Sequence, residues 1–357
     1  MRICFLADAG SVNTRSWVEG FSKVLGHEVH VVSINRTGEF DPSVMLHHIG
    51  TRDGTTDTRG KLGYLRGVRT VRALVRDLKP DLLVGYRVAS YGYVGARTGF
   101  HPLVVVAQGQ YIVSPRYSLP KRVFAATAIR EADLIHSWAP HVTERLVELG
   151  ADPGRILTLH RGIDVNLFRR DPSVAGSPHS VVATRRLSRW YKIDTIVRAV
   201  EMAKADVPDL RASIAGDGPA ERGLRELADS LGLGDSVSFP GAVPHDELPS
   251  LLGASSIYVS AVPSDAVSAS LLEAMATGCF PIVRDNAANR HWIENGSNGL
   301  LVGSEEPSEY ARAIVRACSD DGLRARAAEV NRRTVEERAD SRTNLRQIEK
   351  EYLALVR

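Results

Sequence analysis

Short apolar runs alternate along the chain with longer stretches in which apolar residues recur every third or fourth position. RICFLA, HEVHVVS, DLLVGY and HPLVVVA read as buried strands, and TRSWVEGFSKVL and GYLRGVRTVRALVRDL between them as helices. The rhythm restarts with HSVVATR, LRASIAGDG, SVSFPG, SIYVSAV and FPIVRD. This βαβ alternation predicts parallel sheets with helices on both faces, an α/β doubly wound architecture repeated twice. VNLFRRDPSVAGSPHS, rich in Pro, Gly and Ser, lies between the two sets. The expected organisation is therefore an N-terminal domain over residues 1–166, a linker over 167–179 and a C-terminal domain over 180–340. An amphipathic helix from about Asn344 to Val356, within 341–357, is expected to pack on either domain, including a return to the first. Open parallel sheets bind ligands beyond the carboxyl ends of their strands. Two such domains facing each other would enclose a cleft for two substrates.

Composition narrows this without redirecting it. The 357 residues suit two domains, and 43% hydrophobic with 24% charged residues is ordinary for a soluble globular chain. A net charge of +3 carries no nucleic-acid signature. Cys4, Cys279 and Cys318 have neither metal nor disulfide spacing and read as reduced core thiols of a cytosolic protein. The opening MRICFLADAG reads as a strand, its short apolar run broken by Asp8, rather than a signal peptide. No run is long enough to span a membrane, so any membrane contact is expected to be peripheral. In KLGYLRGVRTVRALVRDLK, Arg66, Arg69, Arg72, Arg76 and Lys79 fall on one side of a helix and Val68, Val71, Leu74, Val75 and Leu78 on the other. That basic face is either a solvated surface or a contact for anionic lipid or an anionic acceptor.

Three segments carry candidate chemistry. In SDAVSASLLEAMATGCFP, Asp265 precedes a helix pattern and Glu273 lies inside it. Ser270-Leu-Leu-Glu273 has the spacing of a capping box. The other reading is that Glu273 accepts hydrogen bonds from the two hydroxyls of a vicinal diol, because a carboxylate would repel phosphate. In VVATRRLSRWYKIDTIVRAV, Arg185, Arg186 and Lys192 follow a strand and are either a solvated basic loop or a diphosphate site. In ASIAGDGPAERGLRELA, Gly216 and Gly218 permit a tight turn before a helix, without the dinucleotide-binding G-x-G-x-x-G fingerprint.

GADPGRILTLHRGIDVNLF, ATRRLS, AGDGP, FPGAVPHDEL, SDAVSASLLEAMATGCFPIV and WIENGSNGLLV, in this order over about residues 127–303, resemble glycosyltransferase family 4, retaining enzymes of the GT-B fold. ICFLADAGSVNTRSWVEGF and PLVVVAQGQ resemble its N-terminal half more loosely. The family's Glu-x7-Glu pair corresponds to Asp265-x7-Glu273. The resemblance implies that Glu273 holds a nucleotide's ribose diol and Asp265 the donor sugar's hydroxyls. The Ala266–Val267–Ser268–Ala269 backbone would cradle sugar and diphosphate, Arg186 would hold phosphate, and Ala242 and Val243 would lie by the base. Gly216 and Gly10 are placed on the donor side. Asn13, Arg15, Gln108 and Gln110, expected like Gly10 at strand ends, are placed on the acceptor side.

The departures are specific. The family lysine falls on Tyr191, with Lys192 one place later. Gln108-Gly109-Gln110, Asn13 and His291 stand where relatives carry other residues, and Asp265 is one carbon shorter than Glu. The activity implied is metal-independent retaining transfer of a hexosyl-type sugar from a nucleoside diphosphate, UDP on family frequency, to a hydroxyl acceptor. That acceptor is a lipid-linked saccharide, a polysaccharide end or a small metabolite. The attack is on the same face, with the leaving phosphate as base. No Asp-x-Asp suggests a metal, no cofactor beyond the donor is expected, and the setting is cytoplasmic, at most peripheral to the inner face of a membrane. A nucleotide-sugar epimerase and a non-catalytic nucleotide-sugar-binding protein are the competing readings.

Overall fold

The computed structural model describes residues 1–34, 38–49, 62–109, 112, 118–171 and 176–356. It divides into two compact units, Met1–Arg161 with Arg342–Arg357, and Gly162–Ser341. The break falls at Arg161/Gly162, ahead of the expected linker. The start of that Pro- and Gly-rich stretch is not a spacer, because Phe168 is fully buried in the second unit.

The first unit is built on a parallel sheet of β1 (Arg2–Leu6), β2 (Glu28–Ser33), β3 (Val44–His48), β4 (Leu82–Tyr86), β5 (Leu103–Ala107), β6 (Leu134–Ser137) and β7 (Ile156–Thr158). Among the described residues their order is β3-β2-β1-β4-β5-β6-β7. LLVGY and LVVVA are buried at every position, as a strand covered on both faces must be. The chain winds outward from β1 through β2 to β3, then returns to lay β4 on the other side of β1. The sheet's topological switch point therefore lies between β1 and β4.

The second unit repeats the plan with β8 (Ser177–Thr184), β9 (Arg211–Ala215), β10 (Val237–Gly241), β11 (Ser255–Ser260), β12 (Phe280–Arg284) and β13 (Leu300–Val302), ordered β10-β9-β8-β11-β12-β13 and parallel throughout. Its switch point lies between β8 and β11.

The C-terminal helix Ser341–Val356 belongs with the first unit. Leu345, Ile348 and Tyr352, spaced by three and four, form its buried stripe. Tyr352 stacks on Phe21 with ring centroids 5.7 Å apart. Its hydroxyl lies 3.0 Å from His136 Nδ1, while His136 Nε2 donates to the Leu159 carbonyl at 2.8 Å. One ring nitrogen donating and the other accepting requires a neutral imidazole. Burial accordingly pulls the His136 pKa down to about 4. All three cysteines are buried and unbridged.

The helix Leu62–Leu78 is amphipathic as expected over its described side chains. Val71 and Val75 are buried, and Arg69, Arg72, Arg76 and the following Lys79 are exposed. Arg72 is tied down, donating to the carbonyls of Arg97 and Thr98. The Arg66 side chain lies outside the described residues.

Candidate active site

The carboxyl ends of β8, β9, β10 and β11 lie along one edge of the second sheet. After β11 the chain runs through Asp265 into the helix Ala269–Ala276, which Gly278 terminates at a φ of +85°. The helix is capped by Ser268, whose Oγ accepts from the Leu271 backbone N at 3.1 Å. Ser270 instead donates to the Thr184 carbonyl, tying this helix to the end of β8. The capping-box reading of Ser270 and Glu273 therefore fails. With the cap at Ser268, Glu273 is the fifth helical residue, a turn beyond reach of the cap's N–H.

This leaves Glu273 conspicuous. It is buried, with 10% of its side chain exposed, and its carboxylate accepts no hydrogen bond from any described residue. The nearest charge partner is the exposed His245, Nε2 3.7 Å from Oε1. His245 in turn packs edge-on against Phe168. A largely buried carboxylate that accepts no hydrogen bond from the described residues keeps its acceptor positions for a ligand that brings hydroxyls.

Asp265 is placed differently. Its Oδ1 accepts from the Ala266 backbone N at 2.8 Å, and its Oδ2 from Arg185 Nη2 at 3.1 Å. Arg185 Nη2 also reaches Ser268 Oγ at 2.5 Å. The guanidinium lies over the Tyr191 ring, 5.5 Å from its centroid. Burial works against this charge, but Tyr258, Asp265 and Tyr191 outweigh it, and the Arg185 pKa stands above its usual value. Asp265, Arg185, Ser268 and the start of the 269–276 helix thus converge at the switch point between β8 and β11.

The other expected donor-side residues divide into those at this edge and one that turns away. Gly216 shapes the floor: its φ is +142°, and a Cβ there would collide with the Arg185 carbonyl oxygen. Gly218 meets Leu187 in the same way. The 216–218 turn therefore holds the Arg185–Leu187 segment in place. Arg186 is exposed beside Arg185. Ala242 and Val243 follow β10 at the same edge, with Ala266 and Ser268 buried and Val267 and Ala269 half-buried. Lys192 does not join the cluster. It takes a left-handed conformation, φ +53°, at the start of the helix Ile193–Ala203, and pairs with Glu305 at 2.8 Å, which raises its pKa. Its pocket, ≈ 460 Å³, is lined by Ser188, Asp194 and Pro219 among others, and by neither Asp265 nor Glu273. His291 is exposed and contacts Arg338.

On the first unit, Gly10 follows β1 and is exposed, its N donating to Asp8 Oδ1. Gln108 follows β5, and its Nε2 is buried without a hydrogen-bond partner among the described residues. Arg15 lies on the helix Val12–Glu19 and faces Glu19 at 3.6 Å. Asn13 is on that helix, its side chain outside the described residues, as is Gln110. His245 was not legible as a site residue, since nothing in VPHDEL announces a partner 28 positions downstream.

Residues 165–334 match the family model for glycosyl transferases group 1, and residues 2–138 that for glycosyl transferase 4-like domains. Each model falls on one of the two sheets. The chain belongs to glycosyltransferase family 4. This family 4 chain is 30% identical over 226 residues to the D-inositol 3-phosphate glycosyltransferase of a Nocardioides species, a match covering 56% of this chain and 49% of that one. It thus spans about half the length of that curated relative. Among solved structures, the GT-B architecture is shared with sucrose-phosphate synthase from Thermosynechococcus elongatus (TM-score 0.85, 19% identity, 99% of each chain). It is shared too with Anabaena HepE in complex with UDP and glucose (TM-score 0.81, 21% identity, 99% of this chain and 100% of that one). At these identities the structures establish the fold of this glycosyltransferase family member.

Proposed function

We propose that this protein transfers a hexosyl-type sugar from a nucleoside diphosphate, UDP in the first instance, to a hydroxyl acceptor with retention of configuration. The observation that carries the reading is Glu273: a largely buried carboxylate at the sheet's ligand-binding edge with no hydrogen-bond donor among the described residues, beside a second carboxylate each of whose oxygens already accepts one hydrogen bond. Glu273 takes the ribose diol, one hydroxyl to each oxygen. The start of the 269–276 helix receives the diphosphate, its dipole favouring the anion. Asp265 takes hydroxyls of the sugar. That HepE is described with UDP and glucose supports the donor class.

In the step itself the bond from the anomeric carbon to the phosphate oxygen breaks, and the acceptor oxygen bonds that carbon from the same face. The acceptor proton passes to the departing phosphate oxygen. Arg186 and the helix N-terminus stabilise the charge that builds on the diphosphate. We assign the reaction no metal, because the sequence has no Asp-x-Asp pair and the site's cations serve the phosphates. Transfer is expected to survive excess chelator; loss in chelator with recovery in Mn²⁺ or Mg²⁺ contradicts the assignment. The acceptor side is assigned to Gln108, Asn13, Arg15 and Gln110. Replacing Gln108 by Ala is expected to raise acceptor KM more than donor KM.

No helix among the described residues is long and apolar enough to cross a membrane. Peripheral contact with an anionic membrane is proposed for the first unit. Exposed Arg69, Arg76 and Lys79 support it, as do Leu119 and Val123, exposed one turn apart beside Lys121 and Arg122. Co-sedimentation with anionic vesicles that weakens with salt is the expected result.

The experiment for the donor assignment is a thermal-shift series with UDP-, GDP- and ADP-sugars, followed by determination of product anomeric configuration. A donor at 100 times its Kd adds about 2.7 kcal/mol of stability. No shift with any of them, or an inverted product, contradicts the proposal.

A further inference from the structure

Arg185 is the charged group whose chemistry is least complete. Its guanidinium presents five N–H donors in a plane. Nη2 serves Asp265 and Ser268, yet Nε is buried and meets no acceptor among the described residues. Thr184 Oγ1, at the end of β8, and Tyr258 Oη, on the neighbouring β11, are also buried without a hydrogen-bond partner among the described residues. Three polar groups short of partners lie on β8, β11 and the residue that follows β8.

The electrostatics point the same way. Ser268, which Arg185 contacts, caps the positive end of a helix. A cation is disfavoured there unless an anion shares the place. Asp265 supplies one negative charge, against Arg185, the exposed Arg186 and the helix end. The balance remains positive, as a site for a dianion requires. The Tyr191 ring beneath the guanidinium fixes its plane, so the fork can serve Asp265 on one edge and offer its remaining N–H groups on another.

We infer that Arg185 is a diphosphate-binding residue of the donor site, holding phosphate oxygens while keeping Asp265 in position, with Tyr191 as its platform. The role that Lys192, turned toward Glu305, does not fill is thereby taken by an arginine from the preceding loop. This inference rests on the donor-site reading above. It adds to it a residue that discriminates nucleoside diphosphate from nucleoside.

The test is calorimetric titration of the full-length chain with UDP and with uridine, for wild type, Arg185→Gln and Arg185→Lys, each checked by a melting curve. Arg185→Gln retains a hydrogen-bonding group toward Asp265 and Ser268 but no charge. It is expected to weaken UDP binding about 10- to 150-fold, the range of a charge-assisted hydrogen bond, and to leave uridine binding within about twofold. Arg185→Lys keeps the charge without the fork and is expected to fall between. Where Arg185→Gln does not fold, Arg185→Lys decides, through its UDP-to-uridine affinity ratio and the salt dependence of UDP binding. A wild-type ratio in the folded variants overturns the arginine assignment alone. Wild-type protein that binds neither UDP nor uridine, and no other nucleoside diphosphate, overturns the donor-site reading and this inference with it.

Discussion

Between β1 and β4 of the first sheet, and between β8 and β11 of the second, the chain makes the same reversal. In the first, β4 ends on Tyr86, buried and packed at a steep angle against Trp138 with centroids 6.0 Å apart. Gln108 Nε2 is buried without a partner among the described residues, and neutral His136 and His160 lie buried in the same unit. In the second, the reversal gathers Arg185, Asp265, Ser268 and, one turn further, Glu273. One topology thus sets buried aromatic rings, with Arg87 and Arg161 close enough to act on Tyr86, at the edge of the first sheet and a charged, incompletely hydrogen-bonded cluster at the edge of the second. The fold offers the place, and side-chain chemistry decides what each place is suited to.

The contrast can be broken from either side. The largest expected effect is on the first unit. His136 has its pKa depressed from 6.5 to about 4, so the unfolded chain binds a proton there before the folded one does. Its contribution is fully present above pH 6.5 and is lost as pH falls toward 4, about 3 kcal/mol in all. Urea unfolding from pH 8 to pH 4 is expected to show this loss, and His136→Asn to flatten it. On the charged side, Asp265→Ala is expected to lower kcat by about 10- to 150-fold. Free UDP should bind at least as tightly, since Arg185 is released from its internal partner; equal losses in both would merge the roles of Asp265 and Glu273. Next comes the floor. Gly216→Ala should cost about 1–3 kcal/mol and weaken UDP, because the Arg185 segment must shift, whereas Gly223→Ala, with open space around it, should gain about 0.5–1 kcal/mol. Smallest is Tyr352→Phe, which removes a single buried hydrogen bond to His136 and should cost about 1 kcal/mol in the melting curve without altering UDP affinity.

The strands that sequence reveals are those buried on both faces, such as LLVGY and LVVVA. Those it conceals are short or interrupted by polar residues. LIHS carries His136, a residue that reads as polar but is a neutral core group. VMLHH has only its first residue buried, and LLV is three residues long. The Pro and Gly content around Phe168 suggests a spacer, because composition does not show that one aromatic ring is anchored. Within the site, the two carboxylates are legible from the motif and its family resemblance. Three things are not: the cap at Ser268 rather than Ser270, the turning away of Lys192, and His245 beside Glu273. Each depends on a dihedral angle or a contact between distant positions, which local pattern does not encode.

The central claim is that Glu273 is there for a ligand and not for its own helix. Calorimetric titration of wild type and Glu273→Ala with UDP, each beside a melting curve, tests it most directly. The account predicts weaker UDP binding by about 10- to 150-fold in the variant, with a melting temperature close to wild type, since the carboxylate accepts no hydrogen bond from its own helix. A variant that melts early and binds UDP with wild-type affinity would contradict it.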